Sequence, residues 1–267
     1  MARKTRLDLH LLTKGGANSR HQAQQLIRAG KVRTTDGEIL DKPGIEVDED
    51  LELQVIPAPR FVSRGGEKLF AALNAFSLNV EGRTCLDGGI STGGFTDCLL
   101  KNGASRVYGI DVGYGQTAWS LRNDPRVVLK ERTNLRYLTP DLLYKSEDTW
   151  PNFAVADLSF ISLTIVLPAI TSLLREKERE ALLLVKPQFE VGRRRVGKGG
   201  VVRDLNAHVD ALSAVIEASL SAGWELQGLM PSPITGPAGN HEYLLWLGMN
   251  KKKAFPDLKA LVVKTLS

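Results

Sequence analysis

From residue 82 onward, short apolar runs alternate with longer stretches whose apolar positions recur at helical spacing. TCLDGG (84–89), RVYGID (106–111), RVVLK (126–130), FAVAD (153–157) and ALLLVK (181–186) are too short for helices and rich in β-branched residues, so they read as strands. Between them the pattern predicts helices over 93–102, 115–122 and 161–177, and a long one over 206–223. WELQGLMPS (224–232) and HEYLLWL (241–247) form a hairpin-like pair, and FPDLKALVVKTL (255–266) predicts a last helix with Pro256 near its start. Alternating strands and helices imply an α/β, doubly wound, mostly parallel sheet, the terminal pair bringing in one antiparallel strand.

The first fifty-odd residues follow a different rhythm. In SRHQAQQLIRAGKV (19–32), Ala23, Leu26 and Ile27 give a helix a single apolar stripe, and Gly30 can end it in a left-handed conformation. Arg20, Gln24 and Arg28 line another face, continued by Lys31 and Arg33. Val32, the Asp36–Gly37 turn and the alternation Leu51, Leu53, Val55 predict short strands. PAPRFVSRGG (57–66) has the composition of a linker. The expected organisation is a small α+β module over 1–58, a linker over 59–66 and a catalytic domain over 67–267.

Charge sharpens the picture of the module. The chain of 267 residues carries a net charge of +5. Residues 1–33 hold eight Lys/Arg (among them Arg6) against the single acid Asp8, whereas 34–58 hold eight acids against Lys42. One basic face suits phosphates, which clustered Arg and Lys can track without reading sequence. RLDLHL, SRHQA and LIRAGKV resemble the S4-like RNA-binding domain, and the resemblance implies RNA contacts at Arg6, Arg20, Arg28, Lys31 and Arg33. A second basic stretch, GRRRVGKGG (192–200), reads as a mobile loop whose Arg193, Arg194, Arg195 and Lys198 could close over RNA phosphates.

Composition also excludes some classes. Two cysteines, Cys85 and Cys98, lack metal-type spacing, so neither a disulfide framework nor a metal site is expected. The uncharged run 158–174 is shorter than a membrane span, holds Pro168 and five hydroxyl residues, and reads as a buried helix. The N-terminus shows no export signal, so the expected location is the cytoplasm. Nothing points to obligate assembly, and a monomer is expected.

The densest chemistry lies in TCLDGGISTGGFTD (84–97). An apolar strand runs into a glycine bend that opens a helix, the place where open α/β sheets bind ligands. The spacing is not the dinucleotide G-x-G-x-x-G. Asp87 precedes Gly88 and Gly89, and Ser91, Thr92, Gly93, Gly94 and Phe95 follow, a loop that lets a ligand approach the backbone. Asp111 ends the next strand, where a carboxylate can accept both hydroxyls of a ribose. Together they predict an adenosine-bearing ligand. The combination resembles the S-adenosyl-L-methionine site of class I methyltransferases, which implies further contacts at Val112, Thr133, Asn134 and Asp157.

Four charged residues stand at ends of these segments: Lys68 in SRGGEKL, Asp157 after FAVA, Lys186 after ALLLV and Glu242 in GNHEYLLWL. Strand ends at the carboxyl edge converge on one cleft, so Asp157 and Lys186 should face the glycine loop. The order Lys–Asp–Lys–Glu resembles the tetrad of FtsJ-related ribose 2′-O-methyltransferases, and the whole chain is similar to the TlyA (hemolysin A) family. VSRGGEKL, the glycine loop, ERTNL, ADLSFISL, LVKPQFE and GNHEYLLWL match that family in order, with Ile90 where relatives often carry a smaller residue. The resemblance implies a Rossmann-like methyltransferase domain that uses S-adenosyl-L-methionine to methylate the 2′-hydroxyl of cytidine in ribosomal RNA, on free RNA or ribosomal subunits. In that reading Lys186 is the base or the group that orients the hydroxyl, Lys68 stabilises the developing oxyanion, and Asp157 and Glu242 hold the ammonium groups. Two lysines in one pocket would disfavour each other's charge. The competing readings are a membrane-active hemolysin, a pseudouridine synthase and a silent RNA-binding assembly factor. His208 and His241 have no evident partner and read as ordinary polar residues.

Overall fold

A computed structural model describes residues 3–57, 59–249 and 257–267. It divides into two units, Met1–Pro59 and Arg60–Ser267.

The first unit runs β1 (Lys4–Arg6), α1 (Leu7–Thr13), α2 (Arg20–Arg28), β2 (Val32–Thr34), β3 (Glu46–Asp48) and β4 (Leu53–Val55). β1 pairs antiparallel with β3 and β2 with β4. Ser19 caps α2 through Gln22 N, and the Gln22 side chain returns to Asn18 N at 2.7 Å, a reciprocal cap that fixes the helix start. Ala23 and Ile27 are buried with Leu7, Leu11 and Val32, so the predicted stripe is the core of this small unit. The strands β1 and β3 escaped the sequence reading, because three residues carry too little alternation to register.

The second unit runs α3 (Gly65–Ala75), β5 (Thr84–Gly88), α4 (Gly94–Lys101), β6 (Arg106–Ile110), α5 (Trp119–Arg122), β7 (Val127–Lys130), α6 (Pro140–Leu143), β8 (Phe153–Ala156), α7 (Leu163–Ser172), β9 (Glu180–Val185), α8 (Pro187–Glu190), α9 (Leu205–Ser221), β10 (Glu225–Pro231), β11 (Tyr243–Gly248) and α10 (Leu258–Leu266). The seven strands lie in the order β10-β11-β9-β8-β5-β6-β7. β5 to β9 pair parallel, and β11 runs antiparallel between β9 and β10. Successive strand residues feed opposite faces, as a period of two requires. Leu86, Tyr108, Ala154 and Leu183 pack under α7 and α9, while Cys85, Val107, Phe153, Leu182 and Leu184 pack under α3 and α4.

Several expectations shift. The linker assigned to 59–66 belongs largely to this unit: Phe61 is buried in its core and Gly65 opens α3. Ala58, at the expected module boundary, and Pro256, at the expected start of the last helix, lie outside the described residues. The helix expected over 161–177 is only Leu163–Ser172, started by a Ser162 cap, and the one over 115–122 shrinks to four residues. No helix among the described residues is long and apolar enough to cross a membrane; the uncharged run supplies α7, with Val166, Leu167 and Ile170 in the core.

Candidate active site

The chain order reverses between β5 and β8: β6 and β7 extend one side of the sheet, then β8 and β9 the other. Such a switch point opens a crevice at the carboxyl ends of the strands. Here the Gly88 carbonyl accepts Asp157 N at 3.1 Å, placing the glycine loop beside the segment that follows β8. Gly89 sits at φ +84°, and a Cβ there would come within 2.8 Å of the Asp157 carbonyl, so only glycine lets the two segments meet.

Two adjoining clefts result, sharing Gly89, Ser91, Asp157 and Ser159. The first, about 490 Å³, is lined by Lys68, Asp157, Lys186 and Glu242 together with Ser63, Arg64, Thr92, Gly94 and Phe95. Lys68 Nζ lies 2.5 Å from Glu242 Oε2, and Lys186 Nζ lies 2.7 Å from Asp157 Oδ1 and 2.9 Å from Ser159 Oγ. Four residues spread over 175 positions of sequence therefore reach one cavity as two ion pairs. Each ammonium group is matched to a carboxylate, Lys68 to Glu242 and Lys186 to Asp157. Gly236 makes room for the Lys68–Glu242 pair, since a Cβ there would meet Glu242 Oε1 at 2.6 Å.

The second cleft, about 500 Å³, is lined by Asp111, Val112, Gln116, Thr133, Asn134 and Leu135 on one side and by Leu158, Phe160 and Ile161 on the other. Asp111 is more occupied than expected: Oδ2 accepts Ser91 N and Oδ1 accepts Gly113 N, each at 2.7 Å. Its carboxylate holds the loop in shape with one lone pair per oxygen and keeps the others for a ligand. Ser91 pays for that contact with a left-handed φ of +49°, strain that is typical of ligand sites.

Three residues expected at the ligand do not reach either cleft. Asp87 is fully buried beneath the loop, where Oδ2 accepts the Thr96 hydroxyl at 2.6 Å. Gly88 turns toward Leu135 and Gly93 toward Leu121, so their lack of a side chain serves packing. Ile90 is buried over Gly109 and rims the first cleft. Burial pushes the Asp87 carboxyl from 3.8 up to about 7; Thr96 opposes the shift, and Asp157 and Asp111 add to it. A raised carboxyl pKa favours the protonated folded state, so this contribution to stability is complete below pH ~4 and lost as pH rises through about 7. Asp87→Asn should therefore gain melting temperature relative to the parent as pH rises from ~4 to ~8, by several degrees. A pH series of thermal melts checks this; a constant difference would contradict it.

Sequence reasoning missed several participants. Ser159 holds Lys186, and Glu190 of LVKPQFE accepts Leu163 N at 2.9 Å and the Ser162 hydroxyl at 2.5 Å, tying the two motif segments together. Burial raises the Glu190 pKa. Phe160 stands 90% exposed at φ +66° on the wall of the second cleft, with its ring 5.1 Å from that of Phe189. A strained, exposed aromatic was a legible signal only with dihedral angles in hand. His208 is a core residue, bonded to the Val202 carbonyl and the Tyr243 hydroxyl at 3.0 Å each; burial lowers its pKa.

The basic loop differs from expectation too. Arg195 is committed to Asp204 and Asp210, and Asn240 bonds Val202 N and the Gly200 carbonyl, so the loop is fastened at its middle and its C-terminal end. Arg193, Arg194 and Lys198 remain exposed. In the first unit Arg28 is exposed, while Lys31 and Arg33 are half-buried. Arg6 and Arg20 converge on the buried Asp8: Arg6 Nε donates to Oδ1 at 3.1 Å, and Arg20 Nε and Gln24 Nε2 donate to Oδ2 at 3.0 and 2.8 Å. The Arg6 guanidinium, helped by Gln24 and Arg20, holds the Asp8 carboxyl well below the usual range against its burial.

A mostly parallel sheet with β11 inserted antiparallel, clefts at the switch point and a Lys–Asp–Lys–Glu cluster define a Rossmann-like methyltransferase. The FtsJ-like methyltransferase family matches residues 61–249 and the S4 domain residues 5–53, and the chain belongs to that methyltransferase family. It is 49% identical over 256 residues to the 16S/23S rRNA (cytidine-2′-O)-methyltransferase TlyA of Mycobacterium tuberculosis, covering 95% of this chain and 93% of the relative. It is 41% identical to hemolysin A of Brachyspira hyodysenteriae, covering 90% and 98% of the two chains. A solved structure from Streptococcus thermophilus that carries the name hemolysin shares 40% identity, with a TM-score of 0.73 over 99% of this chain and 96% of that one.

Proposed function

We propose that this protein transfers a methyl group from S-adenosyl-L-methionine to the 2′-hydroxyl of cytidine in ribosomal RNA. The observation that carries the reading is the meeting of both ion pairs, Lys68–Glu242 and Lys186–Asp157, in one cleft that opens into a second cleft of nucleoside size. The second cleft suits the cofactor: the free lone pairs of Asp111 can accept ribose hydroxyls, and Ile110, Leu135 and Ile161 offer an apolar wall to adenine. When bound, S-adenosyl-L-methionine supplies a methyl group activated by a sulfonium. The protein's own residues do the rest. In its neutral amine form Lys186 Nζ, oriented by Ser159, would take the proton of the 2′-hydroxyl as its oxygen attacks the methyl carbon, and Asp157 would stabilise the ammonium so formed, restoring the ion pair seen here. Lys68, fixed by Glu242, supplies positive charge to the developing alkoxide. Arranging both reactants in adjoining clefts contributes further to the rate.

Ribosomal RNA lacking the modification, or ribosomal subunits assembled from it, should take up label from methyl-labelled cofactor; intact cofactor binding without any transfer would overturn the proposal. A ribosomal substrate is consistent with a cytoplasmic site of action.

The S4 unit should deliver that RNA, and Asp8 makes the idea sharply testable. Taking an acid off a basic face strengthens polyanion binding if net charge alone matters. Asp8, however, aligns Arg6 and Arg20. Asp8→Asn should therefore weaken RNA binding about tenfold and lower its salt slope, as measured by fluorescence anisotropy across a salt series. Tighter binding would show that orientation is unimportant.

A further inference from the structure

We infer that the carboxyl edge of the sheet carries a stacking surface for unpaired RNA bases, formed by Tyr114, Trp119 and Tyr137 and edged by Arg132 and Arg136. The inference rests on the RNA substrate proposed above and adds how that substrate is held and in what state.

The three rings are 65%, 77% and 67% exposed, which is costly for side chains of this size. The cofactor does not account for them, because none lines either cleft, although their chain neighbours Val112, Gln116 and Leu135 do. Packing does not account for them either. In the single turn of α5, Leu121 is buried against the glycine loop while Trp119 is turned outward. All three rings belong to the segments that follow β6 and β7 at the edge holding the clefts. A strand seated with its ribose at Lys186 would have neighbouring nucleotides to place, and this rim lies on the same carboxyl edge, three to four strands along the sheet from β9.

The charges around the rings specify the partner. Arg132 holds its guanidinium 4.2 Å from the Tyr114 ring centre, and Arg136 lies 5.2 Å from that of Tyr137. Arg132 adopts a left-handed φ of +51°, so this placement is maintained against backbone preference. The two acids of the segment 113–137 are already taken: Glu131 by Arg122 at 2.6 Å and Asp124 by Arg126 at 2.7 Å. Neither Arg132 nor Arg136 forms an ion pair within 4.0 Å among the described residues; Glu131, next to Arg132 in the chain, is paired with Arg122. Exposed π-faces beside unneutralised guanidinium groups match a single strand, whose bases stack on the rings while its phosphates meet the cations. A duplex hides the same base faces.

The test uses the full chain and a fluorescein-labelled single-stranded pyrimidine RNA of about a dozen nucleotides, compared with the same strand annealed to its complement. Trp119→Ala and Tyr137→Ala should each weaken single-strand binding about tenfold, with affinity for the duplex changed less than about twofold. Trp119→Phe should restore most of the loss. The salt slope should stay at the parent value in these variants and fall in the Arg132→Ala, Arg136→Ala double variant. Calorimetric affinity for S-adenosyl-L-methionine should not move. Unchanged single-strand binding in both aromatic variants would overturn the inference and leave the face to a protein partner; equal losses on single strand and duplex would overturn it as well. Methyl transfer by the parent protein, run in parallel, separates the two claims. Its failure sinks the enzymatic reading alone, whereas its success with indifferent aromatic variants sinks only this one.

Discussion

Lys186→Ala should abolish methyl transfer, with turnover reduced at least about a thousandfold, while cofactor affinity and folding change little. Lys186 Nζ is the one basic atom held between Asp157 and Ser159, at 2.7 and 2.9 Å, where the two clefts join. Its removal frees the Asp157 carboxylate, but that group lies at the cleft wall and can be hydrated, so the fold should tolerate the change. Lys186→Arg separates two roles. A guanidinium keeps the charge and cannot accept a proton, so an inactive arginine variant supports proton transfer at this atom. An arginine variant with near-parental turnover would reduce Lys186 to a purely electrostatic part. Single-turnover transfer to ribosomal RNA, alongside calorimetric titration of the cofactor, reads both quantities.

Glu242→Gln should cost stability as well as activity. The Lys68 and Glu242 side chains are only 8% and 1% exposed, and Glu242 supplies the carboxylate that pairs with Lys68. Stranding a buried ammonium costs about 3–5 kcal/mol, which corresponds to a fall in melting temperature of roughly 10 °C for a domain of this size. The double variant Lys68→Met, Glu242→Leu removes both charges and replaces them with apolar groups of similar volume. It should regain most of the melting temperature and none of the transfer activity, because an ion pair can be replaced for stability but not for charge placement. Scanning calorimetry of the two variants and the parent checks the first half and labelled-RNA transfer the second. A double variant that remained as unstable as Glu242→Gln would assign the cost to packing around Gly236 instead.

The sheet was readable because its strands are nearly continuous apolar runs and their order follows from the alternation with helices. β1 and β3 were not, being three residues each and governed by pairing rather than pattern. Asp157 and Lys186 were readable as neighbours, since both follow parallel strands and share an edge; Lys68 and Glu242 joined them only through the family resemblance. The pairing of the four was not readable: that Lys68 meets Glu242 and Lys186 meets Asp157 depends on where Gly236 and Ser159 fall in space. The residues of the glycine loop were read too uniformly. Gly89 allows two segments to touch, whereas Gly88 and Gly93 make room for Leu135 and Leu121, a distinction set by partners distant in sequence. Asp87 looked like a ligand group and is a buried strut to Thr96, because an acid at the end of a central strand can turn under the loop as easily as into it. Arg195 looked free in GRRRVGKGG and is held by two acids of the next helix region.

The atom that receives the methyl group is decisive. Ribosomal RNA treated with the parent protein and methyl-labelled cofactor, digested to nucleosides and resolved by mass spectrometry, should carry its label as 2′-O-methylcytidine, and the Lys186→Ala reaction should carry none. Label on a base in place of the ribose, or 2′-O-methylcytidine formed equally well without Lys186, would contradict the proposed reaction.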